Sequence, residues 1–251
     1  MNQQSYVPVA RRSSSVLAGR DGDKTAAIFE KVLHRLIADF AARHVPLPFV
    51  QVGTNDAERG DRLSRHILRG GWRGILIEPQ ADALAAARRL YAEQHGLVFE
   101  QVAIWPDDDP PPFWAVRGES VLSSFSRETI ELHAGKYDDL DAMIEETAVA
   151  TARLDDLCAR HDISPDLVAV DTEGADDLVL STMDLDVVRP ALVMFEHVML
   201  SQERSAALVD LLRALDYRLL YDRHDCLAVQ PHRFDPALLD ACEAAVTATR
   251  T

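Results

Sequence analysis

Glycine is scarce in this chain. Eleven are spread over 251 residues, and they never fall in the G-x-G-x-x-G spacing with which helix amides cradle a pyrophosphate, so an NAD-type dinucleotide site is disfavoured. Cysteine is scarcer still. Cys158, Cys226 and Cys242 are odd in number and form no C-x-x-C pair, so neither a disulfide framework nor a zinc site is indicated. No histidines stand in an H-x-x-x-H pair that would announce a metal centre. Basic residues are outnumbered, 26 against 41 acids, for a formal charge of -15. Such a balance argues against wrapping nucleic acid or lying on an anionic membrane; a neutral or cationic small molecule is easier to accommodate. No stretch reaches the roughly 20 apolar residues of a membrane helix, and the N-terminus lacks the charged-then-apolar order of a secretory signal. The expectation is a cytoplasmic protein. With 47% hydrophobic residues, there is enough apolar material for one α/β domain.

What the chain does have is three β-branched runs that stop abruptly. Phe49-Val50-Gln51-Val52 ends at Gly53-Thr54-Asn55-Asp56, Gly74-Ile75-Leu76-Ile77 ends at Glu78-Pro79, and Leu167-Val168-Ala169-Val170 ends at Asp171-Thr172-Glu173-Gly174. Buried parallel strands end this way at the ligand-bearing edge of an α/β sheet. Gly53 makes a tight turn where a ligand can approach the backbone, and a helix is expected to begin near Ala57. Glu78 follows 25 residues after Gly53, where an acid can accept the ribose hydroxyls of a nucleoside. The plainer alternative is that Asn55 and Asp56 cap a helix and Glu78 is a solvated strand end. Asp56 beside the turn would repel a phosphate. S-adenosyl-L-methionine carries none and presents a sulfonium, an ammonium and a ribose, so an acid-rich turn suits it better.

The ordered set Val50-Gln51-Val52-Gly53-Thr54-Asn55-Asp56, Leu76-Ile77-Glu78-Pro79, Val102-Ala103-Ile104, Ser123-Ser124-Phe125-Ser126-Arg127, Asp171-Thr172-Glu173-Gly174 and Phe195-Glu196-His197 resembles the FkbM-type methyltransferases. The likeness runs from about Phe49 to Val229. It implies a class I Rossmann-like methyltransferase fold: an α/β protein with a mostly parallel sheet, helices on both faces and a C-terminal antiparallel hairpin. It also implies S-adenosyl-L-methionine as methyl donor and usually a hydroxyl as acceptor. By the same likeness Gly53, Asn55 and Asp56, with Gln51 and Thr54 beside them, sit at the methionine end of the cofactor, Glu78 at its ribose, and Ala103 and Ile104, closing the third strand, at its adenine. Ser124 joins the cofactor set, while Ser123, Ser126, Glu173 and Trp114 are candidates for the acceptor. Two positions depart from the family pattern: Gln51 stands where members commonly carry an acid, and Ala57 where they carry a further glycine. Gln51 can still accept from an ammonium through its carbonyl oxygen, and the Ala57 methyl is expected near the cofactor's path.

The remaining pattern alternates as βα units require. Ile28, Phe29, Val32, Leu33, Leu36, Ile37 and Phe40 recur at helical spacing, Leu63, Ile67 and Leu68 mark a helix closed by Gly70-Gly71, and Leu84, Ala87, Leu90 and Tyr91 mark the next. A strand from Ala191 to His197 precedes a helix through Leu208, Leu211, Leu212 and Leu215, then two short runs around Asp222-Arg223-His224-Asp225 form a hairpin. Asp235-Pro236 starts the last helix. Residues 1 to 23 read as a polar mobile arm, one that could cover a neighbouring subunit's site in a homo-oligomer, and 24 to 251 as the methyltransferase domain. Within it, about 106 to 148 is an irregular insertion whose Pro110-Pro111-Pro112 denies strand pairing and whose Trp114 is a candidate cover over the site.

Methyl transfer is an in-line displacement, for which alignment can supply up to about 7–11 kcal/mol and a base about 100-fold to 10,000-fold. Asp171, Glu173 and His197 lie at the ends of the fourth and fifth core strands. His197 is favoured as base because imidazole alone titrates unperturbed near neutrality, with Asp171 ordering the cofactor or acceptor. Alternatively, Asp171, Glu173 and His197 hold a divalent metal that acidifies the acceptor hydroxyl. An NAD-linked oxidoreductase and a non-catalytic cofactor-binding module are the readings from other classes.

Overall fold

The computed structural model describes residues 20–249. The arm read over residues 1 to 23 falls outside them, except that residues 20–23 open the first helix. In chain order the elements are α1 (Arg20–Arg43), β1 (Leu47–Val52), α2 (Ser64–Ile67), β2 (Trp72–Ile77), α3 (Ala81–Leu90), β3 (Leu97–Glu100), β4 (Ala103–Ile104), β5 (Phe113–Val116), α4 (Arg127–Glu131), β6 (Ile144–Thr147), β7 (Thr151–Ala152), α5 (Leu154–Arg160), β8 (Leu167–Val170), α6 (Asp176–Ser181), α7 (Leu185–Val188), β9 (Leu192–Glu196), α8 (Gln202–Ala214), β10 (Arg218–Tyr221), β11 (Asp225–Val229) and α9 (Pro236–Thr247).

Seven strands form one sheet in the order β10-β11-β9-β8-β1-β2-β3. All neighbours run parallel except β11, which is antiparallel to both β9 and β10. The core strands are apolar on both faces because both are covered. Leu47, Phe49, Leu76, Leu167 and Ala169 face α1 and α9, where Phe29, Leu36 and Leu239 meet them. Val50, Val52, Ile75, Val168 and Phe195 face Leu157, Leu180 and Leu212 of α5, α6 and α8. Register then builds the site. Val52 lies opposite Ile77 on one side and Val170 on the other, and Val170 lies opposite Phe195. Gly53, Glu78, Asp171 and Glu196 therefore leave four adjacent strands at one level of the C-terminal edge.

Three expectations fail, each for a local reason. No helix begins near Ala57: Asn55 and Ala57 take φ of 45° and 61°, and the Asp56 and Asp61 carboxylates accept from Glu58, Arg59, Leu63 and Ser64 amides that a helix would need. Only the single turn α2 survives of the expected helix. Ala103 and Ile104 do not close the third core strand. That strand is β3, and the pair instead matches Thr151 and Ala152 in a separate two-stranded sheet. The insertion is also less irregular than the prolines suggest. They stop short of β5, which pairs antiparallel with β6 over a small core of Val116, Leu122, Ile130 and Leu140. Among the described residues no helix is long and apolar enough to cross a membrane, and the three cysteines are free and buried.

Candidate active site

A cavity of about 500 Å³ opens where those four strands end, a size ordinary for a small-molecule site. Its first wall is the β1–β2 edge. Glu78 is only 3% exposed and is therefore no solvated strand end. Its Oε2 accepts from the Asn55 amide at 3.0 Å, and its Oε1 from the Gln80 amide at 3.0 Å and Gln80 Nε2 at 3.2 Å. A carboxylate has about four acceptor sites, so three are used and one remains. Burial is the larger influence and raises the Glu78 pKa against these hydrogen bonds. The insertion locks onto this edge. Ser120 Oγ donates to Asn55 Oδ1 at 3.1 Å, Ser123 Oγ donates to Gln80 Oε1 at 3.0 Å, and Gln80 Nε2 donates to the Ser120 carbonyl at 3.0 Å.

Gly53 is required for a reason other than ligand access. A Cβ on it would lie 1.8 Å from the Asp171 carbonyl oxygen, so the glycine lets two chain segments of the sheet edge meet. The Ala57 methyl likewise points away from the cofactor's expected path and is buried in the core with Leu63 and Ile67. Its φ of 61° is where glycine sits without strain, which gives a backbone reason for glycine at this position. Gln51, meanwhile, is tied through Nε2 to Asp61 Oδ2 at 2.8 Å. The acid missing at position 51 thus arrives from the loop. Gln51 Oε1 and Thr54 Oγ1 are buried without a hydrogen-bond partner, and both residues line the cavity.

The opposite wall is acidic. One carboxylate oxygen each from Asp171, Glu173 and Glu196 lies within 4.8 Å of the others. Asp225 joins them from β11, opposite Glu196, and pairs with Arg62 at 2.5 Å. Behind them the fully buried Asp176 accepts from the Thr172 amide and hydroxyl and the Glu196 amide at 3.1, 2.7 and 2.8 Å. Burial first and neighbouring carboxylates next push Asp171 up to about 7, Glu173 to about 8 and Glu196 to about 11, while burial raises Asp176 to about 6 against its hydrogen bonds from Thr172 and Glu196. Asp171 is exposed within the open cavity, so solvent screens its charge more than those of Glu173, Glu196 and Asp176. Arg62 is the local counter-charge: burial opposes its ionisation, but Asp225, Asp222 and Asp171 outweigh that. Glu173 is held at φ 52°, with its carbonyl accepting from Ser124 Oγ at 2.8 Å, and its Oε2 lies 4.0 Å from His133 Nε2.

Of the residues singled out from the sequence, Gln51, Gly53, Thr54, Asn55, Glu78, Ala103, Ile104, Ser123, Asp171 and Glu173 line the cavity. Five do not. Asp56 turns to the Glu58 and Arg59 amides and the Arg59 guanidinium. Ser124 braces Glu173, and Ser126 caps α4 by accepting from the Thr129 amide. Trp114 stacks under the Arg127 guanidinium, and Phe113 and Phe125 line the cavity instead. His197 lies with its Nε2 3.3 Å from the Asp222 carbonyl and its ring edge-on to Tyr221. Strand parity explains its absence. Met194 lines the cavity, so Glu196, two residues on, faces it too, and His197 points away. Glu196 and, without a motif of their own to point to them, Arg59, Asp61, Arg62, His224 and Asp225 are further polar residues of the lining.

A nucleoside-sized cavity at the carboxyl edge of a mostly parallel sheet, bearing a buried acid at the end of the second strand, is the layout of a methyltransferase-like α/β fold. The family model described as "Methyltransferase FkbM domain" matches residues 51–219, and the chain belongs to that family, whose members are S-adenosyl-L-methionine-dependent methyltransferases. That assignment supports the methyltransferase reading over the NAD-linked and non-catalytic ones. Among solved structures it is similar to a methyltransferase FkbM from Methylobacillus flagellatus, at 15% identity and TM-score 0.43, covering 73% of this chain and 43% of that one. It also resembles a ribosomal protein L11 methylase from Lactobacillus delbrueckii subsp. bulgaricus, at 11% identity and TM-score 0.40, covering 82% and 78%. A precorrin-6y C5,15-methyltransferase from Geobacter metallireducens matches at 11% identity and TM-score 0.37, covering 87% and 94%. The chain thus spans less than half the length of the first of these structures. No curated protein matches it.

Proposed function

We propose that this protein is an O-methyltransferase of class I Rossmann-like fold, acting on a hydroxyl of a small molecule or sugar with S-adenosyl-L-methionine as donor. The observation that carries the reading is Glu78: buried, fixed by three donors of the chain, with one acceptor site left for a ribose hydroxyl. The residues present fit the cofactor. Gln51 Oε1, held in orientation by Asp61, is an unpaired acceptor for an ammonium, and Thr54 Oγ1 is a second unpaired group beside it. Ala103, Ile104, Phe113 and Phe125 offer apolar surface for an adenine. S-adenosyl-L-methionine supplies a methyl group on a sulfonium whose departure as a neutral thioether needs no acid.

The chain's own task is then to align the acceptor and take its proton. Three carboxylates so close cannot all ionise near neutrality. Asp171 ionises first, with Arg62 nearby, and is the group we assign to receive the acceptor's proton. Protonated Glu196 donates a hydrogen bond to the acceptor and Glu173 shares the remaining charge. Insertion residues 106–148 border the cofactor through Ser120, Ser123 and Phe125 and reach the acidic wall through Ser124, which donates to the Glu173 carbonyl.

A specific observation favours a second reading. Asp171, Glu173 and Glu196, rather than His197, are spaced to bind one divalent cation, which would acidify the hydroxyl in place of a base. Calorimetry with S-adenosyl-L-methionine against NAD tests the cofactor. Methyl transfer to a panel of sugar and phenol hydroxyls before and after exhaustive chelation tests the rest: loss restored by Mg²⁺ selects the metal reading, and unchanged turnover removes it.

A further inference from the structure

On the outer face, away from the acidic cavity, α1 and α2 border a second concavity of about 550 Å³. Lys31, Arg35, Arg65 and Arg69 stand around it, all exposed. In a chain with 41 acids to 26 basic residues, none of these four makes an ion pair with a described carboxylate, although most other arginines do. Among the described residues Glu30 is the one acid in the wall, and it is engaged by His34 Nε2 at 3.3 Å. Among the described residues, three positive charges of the wall are left without a counter-charge.

The floor is a histidine pair. His34 Nδ1 lies 2.9 Å from His66 Nε2, and His66 stacks on Trp72 with ring planes 17° apart. Glu30 can only accept, so His34 donates from Nε2 and accepts at Nδ1, which obliges His66 to donate from Nε2. Burial, followed by Arg65 for His34 and by His34 and Arg65 for His66, lowers both imidazoles, His66 to about 4. Both rings are neutral at physiological pH, and the cations crowd them without relief.

We infer that this groove is a binding site for a small diphosphate-bearing molecule. Like charges gathered around one groove repel one another, and an anion bound between them would relieve that repulsion. Three guanidinium forks match phosphate oxygens bidentately, and a diphosphate of about three negative charges balances the three left over, whereas a single carboxylate would not.

The test is calorimetry of inorganic pyrophosphate with the full chain, alongside NMR of the His34 and His66 ring resonances. Pyrophosphate should bind in a salt-sensitive manner and move both sets of resonances. R65S/R69S, and separately K31S/R35S, should weaken it at least about tenfold while leaving circular dichroism and S-adenosyl-L-methionine affinity unchanged; these exposed side chains take no part in the cavity. Absence of binding at millimolar pyrophosphate, or equal binding by folded variants, an adventitious ion only, overturns the proposal. So does binding of duplex DNA or a polyglutamate peptide at the groove where pyrophosphate does not bind.

Discussion

Gly53 and Gly60 provide a matched pair for testing why the first turn is built as it is. Both have positive φ, 79° and 73°, so alanine at either meets about the same left-handed strain, roughly 1–2 kcal/mol. They differ in what the new methyl meets. At Gly60 nothing lies within 4 Å, whereas at Gly53 it would lie 1.8 Å from the Asp171 carbonyl oxygen. No rotamer relieves a clash between Cβ and backbone. The sheet edge must part, against the Gly53 amide bond to Ile77 and the Asp171 amide bond to Val52, each 3.0 Å. Overpacking of this kind costs about 1–3 kcal/mol and sometimes more, so Gly53→Ala should lose about 4 kcal/mol in total and Gly60→Ala about 1. In a domain of this size that separates their melting points by about 6–12 °C. Urea unfolding with both slopes compared, to establish a common unfolded state, measures the difference. Equal stabilities for the two variants would refute the close approach of Gly53 to Asp171. A corollary is that cofactor loss in Gly53→Val reports a broken edge, so Glu78 is the better probe of binding.

Glu78→Gln keeps the shape but removes the charge, and should weaken S-adenosyl-L-methionine by about 1.5–3 kcal/mol, the value of one charge-assisted bond, read as a dissociation constant about 10- to 150-fold higher; parental affinity in a folded variant would exclude the ribose role. His197→Gln should leave turnover and its pH profile as in the parent, whereas Asp171→Asn should cut turnover about 100-fold to 10,000-fold, and the reverse result would return the base to His197. The free protein should lose stability as pH rises from about 5 to 8. Asp176, Asp171 and Glu173 have folded pKa values of about 6, 7 and 8, above their unfolded values, so their contribution is complete below about pH 4 and lost through that window. Urea midpoints at pH 5, 6.5 and 8 measure it, and a flat profile would mean that the carboxylates are solvated.

The strand ends were legible because burial on both faces leaves an unmistakable apolar run, and the first polar residue after it marks the edge. Gly53, Glu78 and Asp171 follow from that rule alone. What failed to transfer was direction. His197 and Glu196 are neighbours in sequence, and choosing between them needs the parity of β9, which only Met194 lining the cavity reveals. The loop after Gly53 departs from the expected helix because Asp56 and Asp61 hold its amides by side-chain bonds, a choice that helix-start signals do not distinguish from capping. Trp114 and Phe113 differ by one residue in β5 in the same way: alternation sends one outward under Arg127 and the other inward.

Charge placement links these observations. Crowding Asp171, Glu173, Asp176, Glu196 and Asp225 around one space opposes folding at neutral pH, since each is raised above its ordinary value. Among the described residues Arg62 is the one guanidinium that reaches into the cluster, and it cannot neutralise five carboxylates. The site is therefore electrostatically complete only with further protons or with a cationic guest. A sulfonium and an ammonium, or a divalent cation, are such guests. Each would lower the pKa of the acids it meets and expel protons on binding. Calorimetry of S-adenosyl-L-methionine in two buffers of unlike ionisation enthalpy should accordingly reveal proton release near neutrality, diminished in Glu196→Gln. Proton uptake instead would place the cofactor's positive charges away from this wall.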